Sequence, residues 1–296
     1  MPGTGYTAQA DATFTNQQCI RPQAFPPNRL ATMSNTVTLH PPLDERIATA
    51  ARRLLDARRT RTRISLDDLA LTEAAHAYAV QDLVIQNLGP IGGWKVGAKG
   101  PDREPTCAPL PAAGILATPA ALTDGTWRAR GIETELALRI DADLPEREAP
   151  YALDEVLAAI GAVLPTIEVV ETRLLEFPKA APLAMLADLG AHGALVTGAA
   201  VPFQPGLLAT QKLAAQQWFD DKQVAASVGG NPAQDLGRVL VWLANHCASR
   251  GLGLRQGQIV TTGSCTGMLF APAACTVRGT VDGLGSCEVR FNKGDE

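Results

Sequence analysis

The chain has 296 residues, of which 46% are hydrophobic and 19% charged, and a formal net charge of −4. This is enough apolar material for a sizeable core, and with no basic block to attract nucleic acid or an anionic membrane surface, neither partner is expected. No apolar run approaches the ~20 residues of a membrane span, so small-molecule chemistry is the expectation that remains.

The six cysteines, Cys19, Cys107, Cys247, Cys265, Cys275 and Cys287, form no C-x-x-C pair. There is also no basic-then-apolar leader pattern. Both observations argue against a zinc ribbon or a secreted disulfide framework and point to a reducing cytoplasm.

Residues 1–42 mix Gly, Pro, Thr, Asn and Gln without periodicity, which reads as a flexible extension. From Leu43, the positions Ile47, Ala51, Leu54 and Leu55 recur at helical spacing. A second helical pattern runs from Thr72 through Ala75, Tyr78, Leu83 and Val84 to the Gly89-Pro90 break. Residues 43–90 therefore form an N-terminal helical segment, followed by a β-rich catalytic domain over 91–296.

Gly92-Gly-Trp-Lys-Val-Gly97 is strand-like. Its Lys95 is either an edge-strand lysine with a solvated head or a cation held near an anionic substrate, where glycines allow close approach. Residues 100–131, rich in Pro, Gly and Ala, read as a loop-dominated connection with short strands at most.

Gly131–Ile140 alternates, with Glu133 and Glu135 on one face and Ile132, Thr134, Leu136, Leu138 and Ile140 on the other. Two like charges so placed need water or a cation between them. Leu153–Val163 has helical spacing and ends at Pro165, after which Thr166–Arg173 has the β-branched content of a strand. Glu168 lies there within an apolar run, where a carboxylate must be neutralised, paired or metal-bound; Arg173 is a possible ion-pair partner.

Asp188 and His192 are the polar points of a small-residue loop over 187–193. Lys212–Ser227 reads as a hairpin turning at Asp220-Asp-Lys222. Asn231-Pro232 reads as the start of a helix with the stripe Leu236, Val239, Leu240, Leu243 and Cys247, closed by Gly251. Val260–Gly267 is a strand ending in hydroxyls and glycines, including Thr262, Ser264 and Thr266, donors suited to a carboxylate. A final hairpin turns at Asp282-Gly283.

Glu133, Glu135 and Glu168, with no His or Cys cluster nearby, suit a hard cation, Mg²⁺ or Mn²⁺, better than zinc. Three protein ligands leave positions for water and a chelating 2-oxo acid. The competing account pairs these acids with Arg139 and Arg173 in a non-catalytic binding or assembly module.

In order, Gly92–Gly97, Glu133-Thr-Glu135, Ile167-Glu168-Val169, Ala187-Asp188, Gly230-Asn-Pro232, Trp242-Leu-Ala-Asn245 and Gly257–Ser264 resemble the 2-keto-4-pentenoate hydratase group of the fumarylacetoacetate hydrolase superfamily, from residue 43 to the end. The resemblance implies an α+β fold, a mixed β-roll or sandwich with an N-terminal helical segment, in a homo-oligomer. It assigns Glu133, Glu135 and Glu168 to the metal, Lys95, Ser264 and Asp188 to catalysis, and Thr262, Thr266 and His192 to substrate binding.

The implied reaction hydrates a 2-hydroxy-2,4-dienoate, by way of the 2-oxo-3-enoate, to a 4-hydroxy-2-oxo acid. The same resemblance extends to 4-oxalocrotonate-type decarboxylases. An acylpyruvate-type carbon–carbon hydrolase is a further alternative, with His192 as the base. The chain departs from the group at Ala98-Lys99-Gly100, where many members have Leu-Thr-Ser, and at Leu189, where Asn is common.

Overall fold

The computed structural model describes residues 43–67, 70–123 and 127–292. The extension expected over residues 1–42 lies outside them. The first described helix, α1 (Leu43–Thr60), carries Asp44 and Glu45 in its first turn and Arg58 and Arg59 in its last, as the helix dipole favours, and turns Ala50, Ala51, Leu54 and Ala57 inward. The second, α2 (Ala74–Leu88), buries Ala77, Tyr78, Val80, Val84 and Ile85.

The stretch expected to be mostly loop is more regular. After β1 (Ile91–Gly97) come β2 (Thr106–Pro111), β3 (Ile115–Ala117) and β4 (Ala120–Thr123). The prolines of β2 are tolerated because it is the edge of its sheet, pairing with β1 alone.

The two-acid strand β5 (Gly131–Ile140) forms where alternation predicts it. The helix expected over Leu153–Val163 is cut short: α3 (Leu153–Ala158) gives way to β6 (Ile160–Val170), so Pro165 lies inside a strand. Beyond α4 (Pro182–Ala187) follow β7 (His192–Thr197) and β8 (Val201–Pro202). On this side β6 pairs with β8 up to Val163 and with β7 from Thr166, and Pro165 sits between the two, where its missing N–H breaks no ladder bond to either.

The hairpin β9 (Ala214–Phe219) and β10 (Lys222–Val228) turns at the expected acids. The next helix, α5 (Leu236–Ser249), begins later than Asn231-Pro232 suggests, because Asp235 caps it by accepting the Arg238 N–H at 3.2 Å. Its stripe Leu236, Val239, Leu240, Leu243 and Cys247 is buried throughout. The chain closes with β11 (Ile259–Ser264), β12 (Leu269–Phe270), β13 (Thr276–Val281) and β14 (Gly285–Asn292).

Two sheets result. The larger has the order β2-β1-β11-β5-β6-β7-β3, with β12 beside β5 and β8 beside β6; the smaller has the order β10-β9-β13-β14-β4. Ile132, Ile167, Val169 and Val196 of the first pack against Val277, Val289 and Phe291 of the second, and Gly279 lies where a side chain would collide with Thr134. Glu133, Glu135 and Glu168 have the opposite parity and project from the other face. The arrangement is a mixed α+β sandwich, as expected.

Leu243→Ala should cost about 2–5 kcal/mol, since it opens a hole in a helix stripe that is fully buried. Urea unfolding monitored by circular dichroism checks this; a cost below about 0.5 kcal/mol, the scale of a surface change, would contradict the packing of α5.

Candidate active site

Strand register brings the three acids together. Glu133 lies directly opposite Glu168 across the β5–β6 ladder, and Glu135 is opposite Thr166, one diagonal step from Glu168. Like charges in such positions repel, and all three are in or near the interior. One carboxylate oxygen from each falls within 4.8 Å of the others, the only such group of His, Cys, Asp or Glu among the described residues. An all-carboxylate cluster of this span has the donor chemistry of a Mg²⁺ or Mn²⁺ site.

Neighbouring strands complete the surroundings. Lys95 of β1 donates from Nζ to Glu168 Oε1 at 2.6 Å and to the Gly190 carbonyl at 3.0 Å. Between Thr261 and Ser264, β11 carries one residue more than β5, a bulge with Gly263 in the left-handed region at φ 93°. The bulge lets the Gly263 N–H reach Glu135 Oε2 at 3.1 Å, and the Thr261 hydroxyl donates to the same oxygen. Ser264 Oγ is buried without a hydrogen-bond partner.

These groups, Thr261 excepted, line a cavity of about 670 Å³. Lys95, the three glutamates, Asn231 and Ser264 belong to its lining, and Lys99, Arg103 and Glu104 belong to a loop that also lines it. Arg238 of α5 ties that loop down by donating to the carbonyls of Arg103 and Gly100 at 3.0 and 3.3 Å.

The electrostatics carry the mark of an unmet positive charge. Burial, then Glu168, push Glu133 up to about 7, with Lys95 opposing. Glu135 is raised well above the ordinary range by burial and by both other acids. Burial would also raise Glu168, but Lys95 and His192 override it and hold that carboxyl below the usual value. Lys95 is raised: burial disfavours its charge, and the carboxylates outweigh burial. One ammonium thus compensates one acid of three.

Other expected site residues stand elsewhere. Asp188 does not line the cavity; it is fully buried, accepting from Arg173 Nε at 2.6 Å, the Arg173 N–H at 2.9 Å and the Thr172 hydroxyl at 3.1 Å. Its carboxylate anchors the turn that presents Gly190 to Lys95.

His192 is likewise outside the lining. An extra residue in β7 at Gly193 shifts the side-chain alternation, so that His192 falls on the face of Glu168, with Nδ1 at 3.4 Å from Oε1. Thr266 is spent on scaffolding: its hydroxyl accepts the Thr134 N–H and donates to Gln217. Thr262 reaches the lining, but its hydroxyl donates to the Leu136 carbonyl.

The account that pairs the acids with arginines does not hold, because Arg139 binds Asp141 and Arg173 binds Asp188. Sequence reasoning missed Thr261 and Gly190. It also misread Asn231, whose amide donates to the Thr262 and Gly263 carbonyls at 3.0 and 3.1 Å and so clamps the bulge. Gly263, two residues after Thr261, and Gly190 itself were the available signals.

Asp188→Ala is expected to cost about 3–5 kcal/mol, because it leaves the buried Arg173 without its counter-charge. Thermal or urea unfolding checks this, and a variant of unchanged stability would return Asp188 to a purely chemical role.

Residues 108–292 match the fumarylacetoacetate (FAA) hydrolase C-terminal family. A 2-keto-4-pentenoate hydratase of Burkholderia vietnamiensis is 30% identical over 268 residues, 84% of this chain and 99% of that protein. A 4-oxalocrotonate decarboxylase of a Pseudomonas species is 28% identical over 179 residues, 56% of this chain and 66% of that protein. Among solved structures, 4-oxalocrotonate decarboxylase from Pseudomonas putida, complexed with magnesium and adipate, superposes with a TM-score of 0.74 at 22% identity, covering 86% of this chain and all (100%) of that one. Strand order, acid cluster and sequence matches agree: the chain belongs to the fumarylacetoacetate hydrolase family, in the group of 2-keto-4-pentenoate hydratases and 4-oxalocrotonate decarboxylases.

Proposed function

We propose that the protein is a divalent-metal-dependent hydratase that adds water to a 2-hydroxy-2,4-dienoate and yields a 4-hydroxy-2-oxo acid. The observation that carries this reading is the triad of half-buried Glu133 and buried Glu135 and Glu168 beside Lys95, in a chain whose curated relatives include a 2-keto-4-pentenoate hydratase matched along nearly all of that relative's length. The three glutamates would hold Mg²⁺ or Mn²⁺, and a bound cation supplies the charge that makes an enolate of a 2-oxo acid accessible.

The remaining work falls to the protein's own groups. The Lys95 ammonium has three N–H bonds, of which two are directed to Glu168 and the Gly190 carbonyl, so its third suits the substrate carboxylate. Ser264 Oγ, buried and unpaired beside the cavity, suits a substrate oxygen or the attacking water. Thr261 and the Gly263 N–H fix one oxygen of Glu135 and thereby orient the other.

The second reading is decarboxylation of a 4-oxalocrotonate-like diacid. Lys99 and Arg103 in the cavity lining favour it, because a second carboxylate would find cations there. Carbon–carbon hydrolysis is less well supported: its base, His192, lies behind Glu168, and burial lowers its pKa.

With Mg²⁺ present, the protein should hydrate 2-hydroxypenta-2,4-dienoate, followed by loss of dienol absorbance and recovery of the 4-hydroxy-2-oxo acid. CO₂ release from the diacid without hydration of the dienoate would overturn this choice. Lys95→Ala should lower kcat/KM by about 10²–10³-fold, on the scale of losing one aligned polar donor. Glu133→Ala should abolish Mg²⁺ binding while the protein stays folded, and unchanged metal affinity by calorimetry would remove the metal from the reading.

Metal affinity should also rise with pH. Glu133 has an ordinary value of 4.5 and is raised to about 7 without a cation, so its contribution to stability is complete below 4.5 and is lost as pH rises through 7. Cation binding reverses that loss and releases protons. Calorimetry at pH values on either side of 7, in buffers of different ionisation enthalpy, reads both effects; pH-independent affinity without proton release would contradict them.

A further inference from the structure

A second cavity, of about 170 Å³, shares no lining residue with the first. Among the described residues its walls carry five arginines, Arg58, Arg61, Arg63, Arg128 and Arg173, against a single carboxylate, Glu171. Arg61 and Arg128 are exposed, but Arg58, Arg63 and Arg173 are buried or half-buried, and the local pairings do not account for all of that charge.

Arg173 is saturated: Nε is on Asp188, and its two terminal nitrogens are on the carbonyls of His192 and Asp188. Glu171 is largely spent on the backbone, accepting the N–H groups of Arg128 and Ala129 at 2.7 and 2.8 Å and of Thr172 at 3.1 Å. What reaches the others is thin. Arg58 meets Asp188 only at 3.5 Å and Arg63 meets Glu171 only at 3.4 Å, and the Nε of each is buried with no hydrogen-bond partner.

A buried guanidinium N–H without an acceptor is costly, and two of them beside one small cavity point to an acceptor that enters it. Burial and the charge of Arg173 lower Arg58 to about 9, with Asp188 offsetting only part of the effect. The cavity is below the range of about 300–1,000 Å³ that holds drug-sized ligands, so its occupant is small.

We propose that this cavity binds a small multivalent oxyanion, phosphate or a short dicarboxylate, which accepts hydrogen bonds from Arg58 and Arg63. Guanidinium groups match such oxygens in planar, paired geometry, and Trp127 and Ala57 contribute apolar surface to the same lining. The site is also placed to be felt at the first cavity. Asp188, which Arg58 and Arg173 share, starts the turn whose Gly190 carbonyl receives the Lys95 ammonium.

The test is calorimetric titration of the full chain with Mg²⁺ present, at constant ionic strength, with inorganic phosphate in one arm and malonate in the other. Saturable uptake of one anion per chain in either arm is expected, and the arm that responds identifies the anion. Arg63→Gln should weaken uptake about tenfold or more, as loss of a charge-assisted pair implies, while Lys95→Met in the first cavity leaves it intact. Arg61→Ala, at an exposed position, provides a second variant with a smaller loss should Arg63→Gln fold poorly.

Three results would overturn the proposal. They are no saturable uptake in either arm, uptake lost with Lys95→Met but kept with both arginine variants, and a changed oligomeric mass in Arg63→Gln without anion uptake in the parent chain. The last would assign the arginines to a contact between copies of the chain.

Discussion

Three carboxylates held against one another on the face of the larger sheet turned away from the smaller one are the constraint from which the rest of the site follows. Ionised and uncompensated, they would repel strongly at low dielectric, so the interior must either keep protons on them or bring in positive charge. Lys95 provides one charge and aligns with Glu168; Glu133 and Glu135 stay unusually basic. Their spacing is a property of the β5–β6 register, and a slip of β5 by one residue would send Glu133 and Glu135 to the opposite face from Glu168.

The surrounding structure holds that register and then departs from it where ligands need aiming. Two single-residue bulges do this, one in β11 that brings the Gly263 N–H onto Glu135 and one in β7 that turns His192 toward Glu168. Behind them, the Asp188–Arg173 pair fixes the turn carrying Gly190, whose flanking residues Leu189 and Ala191 also adopt left-handed backbone, with φ of 52° and 59°. Such backbone is strained for leucine, and the enclosing contacts must compensate for it.

Features that depend on short-range periodicity were legible in the sequence. Alternation alone places Glu133 and Glu135 on one face, and the cost of burying a charge singles out Glu168 in its apolar run. Features that depend on distant partners were not. Asn231-Pro232 has the local chemistry of a helix start, but the Asn231 amide is taken by the β11 carbonyls and the cap falls to Asp235. Leu153–Val163 has helical spacing, but pairing with β5 makes the chain a strand from Ile160. Asp188 was visible as a polar point, but its role depended on Arg173 and Arg58, which lie 15 and 130 positions away.

The loop over 98–104 is fastened to α5 by Arg238 through main-chain carbonyls alone. A fastening of that kind is indifferent to side-chain identity. The wall of the cavity formed by Lys99, Arg103 and Glu104 can therefore be rewritten without disturbing the strands that hold the acids. Related chains could then vary the shape and charge of that wall by substitutions in a few loop positions, with the sheet inherited unchanged.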